Sequence, residues 1–525
     1  MWQSILDGIA KVNAVVNDFV WGLPMIIMIL GTGLLLSIRT RFLQVRKFGT
    51  SLNTTIVPTI RSIGKKKHKN SDGTKSISQF EAFSAAISGT IGTGNIVGVA
   101  SAILTGGPGA VFWMWISAFF GMVTNYSENV LGLYFRKKDK DGNLSGGPMY
   151  YISEGIKQNW LAYIAAAFCL FAAISMSGVQ VNKISGTISG TFSSSISSAI
   201  IANNPNMTAE KVNSIIVLVI GIIVAVLIAL IIIGGIKRIG KVTSILVPFM
   251  SMLFIIMALI IIFMNINHVG KAFSLIFSNI FSSKAIFGGV GGYAFASIIK
   301  KGLARGVFSN EAGLGSSVIA HSASETKEPV KQGLWGIFEV FLDTFVVCTL
   351  SALMFLTVYS PSELYTVTDG VVSAAMTDSE AAIGAFSKLG QFGNITFAII
   401  LPLFAFTTIL AWSYYGEKST EFLFRNASDK IRKCACVVFK VIYVLLIVVF
   451  SIIDGELVWA LSDTANGLMA LPNLVSLVCL SGLVAKITKN YFDRHNGKNV
   501  EPMLSAYPDI NSELAKQIKE EHNID

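Results

Sequence analysis

Apolar residues in this chain follow one another in eleven charge-poor runs of about 20 residues. A helix rises about 1.5 Å per residue, so each run is long enough to cross the hydrocarbon core of a membrane. The pattern therefore predicts an all-α polytopic membrane protein with about eleven transmembrane helices. The predicted spans are Val20–Ile38, Ala82–Leu104, Ala110–Tyr134, Trp160–Gln180, Ile215–Ile233, Val242–Met264, Phe277–Ile299, Leu334–Leu356, Ile395–Tyr415, Cys436–Ile453 and Leu457–Ala485.

Composition supports the membrane assignment. Of the 525 residues, 52% are hydrophobic and 14% charged, and the mean hydropathy is +0.62, whereas a soluble domain carries about 25% charge. Cysteines lie in or beside apolar runs and the histidines do not cluster, so neither a disulfide framework nor a zinc site is expected. The five cysteines are Cys169, Cys348, Cys434, Cys436 and Cys479.

The net charge of +10 is explained by its distribution between alternate loops. If the N-terminus lies outside, the outer segments keep few basic residues: Lys11, Lys183, Lys211, Lys271, Lys284 and Lys388. Before the C-terminal tail, the inner segments carry Arg39, Arg41, Arg46, Lys47, Arg61, Lys65, Lys66, Lys67, Lys69, Lys75, Arg136, Lys137, Lys138, Lys140, Lys237, Arg238, Lys241, Lys300, Lys301, Arg305, Lys418, Arg425, Lys430, Arg432 and Lys433. This asymmetry predicts a multi-pass plasma-membrane protein with its N-terminus outside and its C-terminus in the cytoplasm. The basic run Lys65–Lys69 then needs anionic lipid and no nucleic acid as its partner.

Glycines interrupt two of the predicted spans. Gly89, Gly92, Gly94 and Gly98 fall inside the second span, and Phe287–Gly292 has four glycines in five positions. A glycine inside a helix costs about 1 kcal/mol relative to alanine, and unwound backbone persists in a membrane where it faces a cavity or ligand. We therefore predict two broken helices. Close helix packing, for example by the pair Gly94 and Gly98, is the alternative.

The two interrupted spans occupy corresponding places if the first span is an extra helix. They are then the first and sixth of ten, in two five-helix halves of opposite orientation, which is the arrangement of inverted-repeat transporters. The repeat rests on topology alone. It divides the chain into an N-terminal segment (1–78), two repeats (79–265 and 266–486) and a cytoplasmic tail (487–525).

Helix ends at such breaks have defined chemistry. Free amides near Thr93 and Gly94 suit a carboxylate. Carbonyls freed around Ser88–Ile91 and Phe287–Gly289 suit a cation or an ammonium group. An amino acid satisfies both, and the hydroxyls of Thr407 and Thr408 can complete a site for a coupling ion, unless they bond their own helix carbonyls.

Several segments closely resemble the alanine or glycine:cation symporter family, over roughly residues 15 to 490. They are Ser88–Ala100, Gly146–Tyr151, Arg305–Gly315, Asp343–Thr344 and Leu468–Asn473. The resemblance implies the leucine-transporter-type fold and sodium-coupled, sometimes proton-coupled, uptake of alanine, glycine or a similar amino acid. Proton coupling and a preference for glutamine are the alternatives within this class.

The resemblance also implies site residues. The substrate would be bound by Thr93, Gly94, Asn95, Gln180, Phe287, Gly288, Gly289 and Trp412. Sodium would be held by carbonyls near Ser88 and Ile91, together with Thr407 and Thr408. Two of these residues have simpler explanations, because Gln180 can join helices by a hydrogen bond and Trp412 can belong to an interfacial aromatic belt.

Acidic residues inside predicted spans are functional candidates because a charge is costly there. Glu128, Glu339, Asp343 and Asp463 are such residues. They mark a cation route or join helices by buried pairs with lysine or arginine, and we favour the pairs. Glu311 is expected at the cytoplasmic edge, for gating or capping.

Other function classes fit less well. The glycines from Gly92 to Gly98 do not have dinucleotide-binding spacing, and Ser316 with His321 has no orienting acid for hydrolysis, so an enzyme is not expected. A channel needs a lining repeated around an axis, which two offset breaks do not supply. We expect a small amino acid, sodium and the lipid bilayer as partners, and no obligate protein partner.

Overall fold

The computed structural model describes residues 2–62, 76–138, 142–203, 207–280, 291–368, 371–453 and 455–522. In these ranges the chain is helical, with two short antiparallel hairpins. The first half contains α1 Trp2–Val20, α2 Leu23–Arg39, α3 Leu43–Arg46, α4 Phe48–Thr54, α5 Ile56–Ser62, α6 Gln79–Thr90, a 3-10 turn Thr93–Asn95, α7 Val97–Gly106, α8 Gly109–Tyr134, β1 Lys137–Lys138, β2 Leu144–Ser145, α9 Pro148–Gly155, α10 Asn159–Asn203, α11 Ala209–Ile232 and α12 Gly235–Met264. The second half contains a 3-10 turn Ile266–His268, α13 Val269–Ser278, α14 Gly291–Asn310, α15 Ser317–His321, α16 Pro329–Val340, a π-helix Phe341–Cys348, α17 Thr349–Val358, α18 Pro361–Leu364, β3 Tyr365–Thr368, β4 Val371–Ala374, α19 Asp378–Ser387, α20 Gly390–Leu423, α21 Asp429–Ile452, α22 Gly455–His495 and α23 Pro508–His522.

Long apolar helices confirm the membrane class. Among the described residues, seven helices are long and apolar enough to cross a membrane, or eight if α1 and α2, bent by 43°, form one span. α8 and the interrupted pair α6–α7 are not among them, so the expected count of eleven stays a prediction. On α11 and α21, exposed side chains such as Leu227 and Leu445 form the apolar surface that lipid would cover.

The second predicted span is interrupted, as its glycines indicate. α6 begins with a capping box between Ser78 and Glu81, which satisfies its first amides. It ends at Thr90, where Ile91 turns to extended backbone, and α7 begins only at Val97. The structure thus confirms a broken helix here.

The predicted span Phe277–Ile299 is wrong. Asn279 touches Gly109 at the start of α8, and Gly302 touches Ala110 in the same turn. Asn279 and Gly302 therefore lie at the same end of α8, whereas a crossing at Phe277–Ile299 would place them at opposite ends.

The segment that runs along α8 lies about 20 residues after the predicted span, in α14 and α15. Contacts between α8 and the α14–α15 pair advance from Gly302 beside Ala110 to Gly132 beside Val318. Lys300 accordingly pairs with Asp18 near the end of α1, at the end of α8 opposite to Arg136. The placement of Lys300, Lys301 and Arg305 with the inner basic loops is therefore also wrong.

Backbone conformation locates the second interruption between α14 and α15. Glu311, Gly313 and Gly315 all have positive φ, of 54°, 93° and 75°, which ends the right-handed helix. The predicted break at Phe287–Gly292 stays a prediction, since only Gly291 and Gly292 of this segment are described, and they begin α14. Phe287, Gly288 and Gly289 lie in 281–290, outside the described residues, as does the basic run Lys65–Lys69.

The two interrupted helices lie side by side and antiparallel. Lys301 in α14 packs against Gly106 at the end of α7. At the other end, the Ile77 amide, just before α6, donates to the Ala323 carbonyl at 3.1 Å. The predicted repeat boundaries at 79 and 265 match the start of α6 and the end of α12. The predicted boundary at 487 falls inside α22, and the division into repeats stays a prediction.

Replacing Gly302 by alanine tests the corrected crossing. A Cβ atom there would lie 2.5 Å from the Ala110 carbonyl oxygen and 2.6 Å from Trp113 Cβ. We expect Gly302→Ala to cost about 1–3 kcal/mol by overpacking and to lower the thermal unfolding midpoint of the purified protein. In the matched variant Gly31→Ala, the new Cβ meets open space, so it should be neutral or stabilising. Equal midpoints for the two variants would contradict the α8–α14 packing.

Candidate functional site

The first interruption is held open by side chains that replace helical hydrogen bonds. The Gly92 amide donates to Asn95 Oδ1 at 2.9 Å, and the Thr93 amide donates to Gln180 Oε1 at 3.4 Å. Residues 91–95 are all buried, so no water satisfies these amides from the surface. Gln180 therefore reaches the break from α10. It does join two helices by a hydrogen bond, and its partner is the backbone of the break.

Both adjacent threonines of α20 contact the Phe404 carbonyl of their own helix, and Thr408 also reaches the first interruption. Thr408 Oγ1 donates to the Ser88 carbonyl at 3.0 Å, and a Cβ atom built on Gly92 would lie 2.6 Å from it. Thr407 Oγ1 instead contacts the carbonyls of Leu403 and Phe404 in its own helix, at 3.1 and 3.0 Å. Both threonines thus make the back-bonding that was their alternative, and of the two it is Thr408 that the structure also brings to the break.

Asp343 joins the break to two other elements. Its Oδ1 accepts from Asn95 Nδ2 at 2.5 Å, and its Oδ2 accepts from Ser309 Oγ at 2.9 Å and from Thr344 Oγ1 at 2.8 Å. Both carboxylate oxygens are thus occupied by uncharged donors from the 3-10 turn, α14 and the π-helix. Asn95 was expected to bind a ligand carboxylate. In this structure its Oδ1 accepts from the Gly92 amide and its Nδ2 donates to Asp343.

The second interruption is tied to α8 and α22. The Gly313 amide donates to Glu128 Oε1 at 3.0 Å, and Asn473 Nδ2 donates to the Gly313 carbonyl at 2.8 Å and to Glu128 Oε1 at 2.6 Å. Tyr151 Oη in turn donates to Asn473 Oδ1. Three of the segments that carried the family resemblance therefore meet at one buried loop.

Glu311 lies at this loop and not at the cytoplasmic edge, so that expectation is wrong. Its side chain is fully buried, and its Oε1 would lie 3.1 Å from a Cβ atom built on Gly89, at the end of α6. Ser316 Oγ donates to Glu311 Oε2 at 2.5 Å. Glu311 therefore belongs to the place where the two interruptions meet.

The remaining acids join helices. Asp463 pairs with Arg305 at 3.0 Å, the arginine partner that was expected, although this pair is only partly buried. His321 Nε2 donates to Glu339 Oε2 at 2.8 Å in a fully buried contact. Glu128 and Asp343 differ from the expectation, because hydroxyl, amide and backbone groups bind them in place of lysine or arginine.

Aromatic rings close the site on the α14 side. A Cβ atom on Gly94 would lie 3.2 Å from Phe308 Cδ1, and Phe308 stacks on Trp459 with ring centroids 5.2 Å apart. Trp412 is fully buried beside Tyr415, which excludes the interfacial aromatic belt for it. The sequence did not single out Phe308 or Trp459, although Phe308 lies in the segment Arg305–Gly315 that carried the family resemblance, because their stacking depends on the packing of α14 against α22.

The arrangement can bind two kinds of charge. The last carbonyls of α6 lack amide partners within their helix, as at every helix end, and Ser88 among them faces Thr408. Thr93 Oγ1 is buried without a hydrogen-bond partner among the described residues, beside the start of the second half-helix, where the dipole favours an anion. A cation and a carboxylate therefore have separate places within one break.

Removing the Asp343 carboxylate tests its role as the common acceptor. Asp343→Ala leaves the donors of Asn95, Ser309 and Thr344 buried without this partner, so we expect a loss of at least about 2 kcal/mol in unfolding free energy. Asp343→Asn keeps one acceptor, and the two hydroxyls can turn to accept from the new amide, so its loss should be smaller. Thermal unfolding of both purified variants measures this. An equal loss would show that the negative charge, and not the acceptor geometry, stabilises the fold.

Known proteins resemble this chain over nearly its whole length. The sodium/alanine symporter AgcS of Methanococcus maripaludis is 38% identical over 94% of this chain and 100% of its own. The "Probable sodium/glutamine symporter GlnT" of Bacillus subtilis is 33% identical over 93% of this chain and 92% of its own. The crystal structure of MhsT in complex with L-phenylalanine aligns with 79% of this chain and 99% of that chain, with 15% identity and a TM-score of 0.49.

The sequence profile of one family agrees with these relatives. The profile described as "Sodium:alanine symporter family" matches residues 6–505, a range that includes both interruptions and every described residue of the candidate site. The family resemblance seen in the motifs is thereby confirmed, and the chain belongs to the sodium:alanine symporter family.

Proposed function

We propose that this chain carries a small neutral amino acid, alanine or glycine, into the cell together with sodium, by alternating access. Its family consists of transporters, so the chain is a membrane transporter and not an enzyme. The observation that carries the proposal is the first interruption, where Thr408 contacts the Ser88 carbonyl and the Thr93 hydroxyl has no partner among the described residues.

The substrate carboxylate is assigned to Thr93 and Gly94. The Thr93 hydroxyl and the amides that open the second half-helix offer hydrogen bonds and the positive end of a helix dipole. Phe308 lies against Gly94 and leaves little room for a large side chain, which supports alanine or glycine. Gln180 borders the site from α10, and Trp412 borders it from α20.

The coupling ion is assigned to the other side of the same break. Sodium prefers oxygen ligands, and the carbonyls of Ser88 and Ile91 with the Thr408 hydroxyl supply them. A proton as coupling ion and glutamine as substrate are the alternatives.

Alternating access is supported by the antiparallel pair of interrupted helices. We assign one interrupted helix to each half of an inverted 5+5 repeat, with one extra helix at the N-terminus. In this architecture a helix bundle can rock around a site between the two interrupted helices. The partly buried pair of Arg305 with Asp463 closes the site toward the side of the membrane where α2 begins, which would face outward if the N-terminus lies outside the plasma membrane.

Uptake into proteoliposomes tests the proposal. We expect radiolabelled alanine to accumulate against its gradient only when sodium is higher outside. If one net positive charge enters per cycle, 100 mV supplies about 2.3 kcal/mol, or roughly fiftyfold accumulation. Accumulation with a proton gradient alone, or of glutamine but not alanine, would favour the alternatives, and equilibration without accumulation would indicate a channel.

The threonine pair gives a matched test of the ion site. Thr408→Ala removes a ligand of a charged group, worth about 1.5–3 kcal/mol, so the sodium concentration for half-maximal alanine uptake should rise at least about tenfold. Thr407→Ala removes a hydroxyl that bonds only within its own helix and Met250, so its sodium dependence should stay near that of the unmodified protein. The assignment fails if both variants respond alike.

A further inference from the structure

Glu311 occupies a position that the proposed binding of amino acid and sodium does not use. It is fully buried in the second interruption, with a left-handed backbone at φ 54°, a conformation that costs a non-glycine residue about 1–2 kcal/mol. Strain of this kind is concentrated at functional sites. The residue that bears it here is an acid at the junction of the two broken helices.

Buried polar atoms without hydrogen bonds face each other at this position. Among the described residues, Glu311 Oε1 and Tyr415 Oη have no ordinary hydrogen-bond partner, and the Trp412 indole lies close enough to interact with the Glu311 carboxyl. All three side chains are fully buried. A Cβ atom built on Gly89 would lie 3.1 Å from Glu311 Oε1 and 2.9 Å from Tyr415 Oη. The absence of a side chain at Gly89 is what lets these two oxygens approach the end of α6 together.

The groups around Glu311 supply no positive charge. The titratable groups that face it from the packed elements are Tyr415 of α20, Cys169 of α10, Glu339 of α16 and Asp343 of the π-helix. None of them is a cation, and the donors to the carboxyl in the described part of the chain, the Ser316 hydroxyl and the Trp412 indole, are both uncharged. Burial without a neighbouring cation among these groups disfavours the ionised carboxylate and favours the neutral, protonated form.

We propose that Glu311 is a proton-binding site, separate from the ion site at Ser88 and Thr408, that takes up one proton when the bundle closes around the substrate. The proton comes from water and adds to the carboxylate. It returns to water when the bundle opens and hydrates the side chain. The inference rests on the proposed function, because it needs a cycle between open and closed states.

Linkage fixes the sign of the pH dependence. In the open state, a hydrated Glu311 is ionised near neutral pH, whereas in the closed state it is protonated. Substrate binding that drives closure therefore consumes a proton, and it weakens by about tenfold for each unit of rising pH.

Calorimetric titration of the full-length protein with alanine in saturating sodium tests this. Measurements at about pH 7.5 in two buffers of different ionisation enthalpy should show about one proton taken up per alanine bound. The affinity should fall about tenfold per pH unit above neutrality. Glu311→Gln mimics the protonated acid, so it should bind alanine with no proton uptake and no pH slope. Binding by the unmodified protein without proton uptake would overturn the inference, and this measurement stands even if the variant fails to fold.

Glu128→Gln is the matched control. Glu128 is an equally buried glutamate whose Oε2 also lacks a partner among the described residues, but its Oε1 accepts two hydrogen bonds, from the Gly313 backbone amide and from Asn473. Its backbone lacks the left-handed strain of Glu311, and we expect its variant to keep the pH slope. Loss of the pH slope in Glu128→Gln but not in Glu311→Gln would show that Glu128 binds the proton, and it would overturn the assignment to Glu311. If the unmodified protein binds no alanine with sodium present, the proposed function itself fails, which is distinguishable from binding without proton uptake.

Discussion

Main-chain polar groups freed inside a membrane must find partners within the protein, and this requirement governs the centre of the molecule. Side chains meet it at both interruptions, where Asn95 and Gln180 accept from amides of the first and Glu128 accepts from the Gly313 amide of the second. Asp343 then fixes Asn95 and two further elements. The two breaks are therefore stable parts of the fold, with their ligand-facing atoms held in place.

The sequence was sufficient to locate the first break but not the second. Four glycines inside an apolar run are costly in a helix, so the break after Thr90 could be predicted from composition. In the second case glycine density pointed to Phe287–Gly292, whereas the chain breaks at Glu311–Ser316. Lys300 and Lys301 follow an apolar run, and this pattern is typical of the end of a span. Their positions depend on contacts with Asp18 and Gly106, which no local sequence pattern shows.

The candidate site was predictable by region and less so by atom. Thr407 and Thr408 are adjacent, and only the rotation of α20 decides which hydroxyl reaches the Ser88 carbonyl. Asn95 was identified, but its partner lies 248 positions away in the chain, so its role in tying helices together could not be seen. Asp343 and Asn473 lie in segments that the family resemblance had marked, and their contacts give those segments a physical reason.

The length of α10 has a mechanical consequence. Its 45 residues extend about 68 Å, more than twice the roughly 30 Å hydrocarbon core. Gln180, which touches the first break, sits near the middle, so about 34 Å of rigid rod continues beyond it to Asn203. A tilt of α10 by about 10° around Gln180 would move the end of the helix at Asn203 by roughly 6 Å. A small movement at the break would thereby become a larger one at the far end of α10.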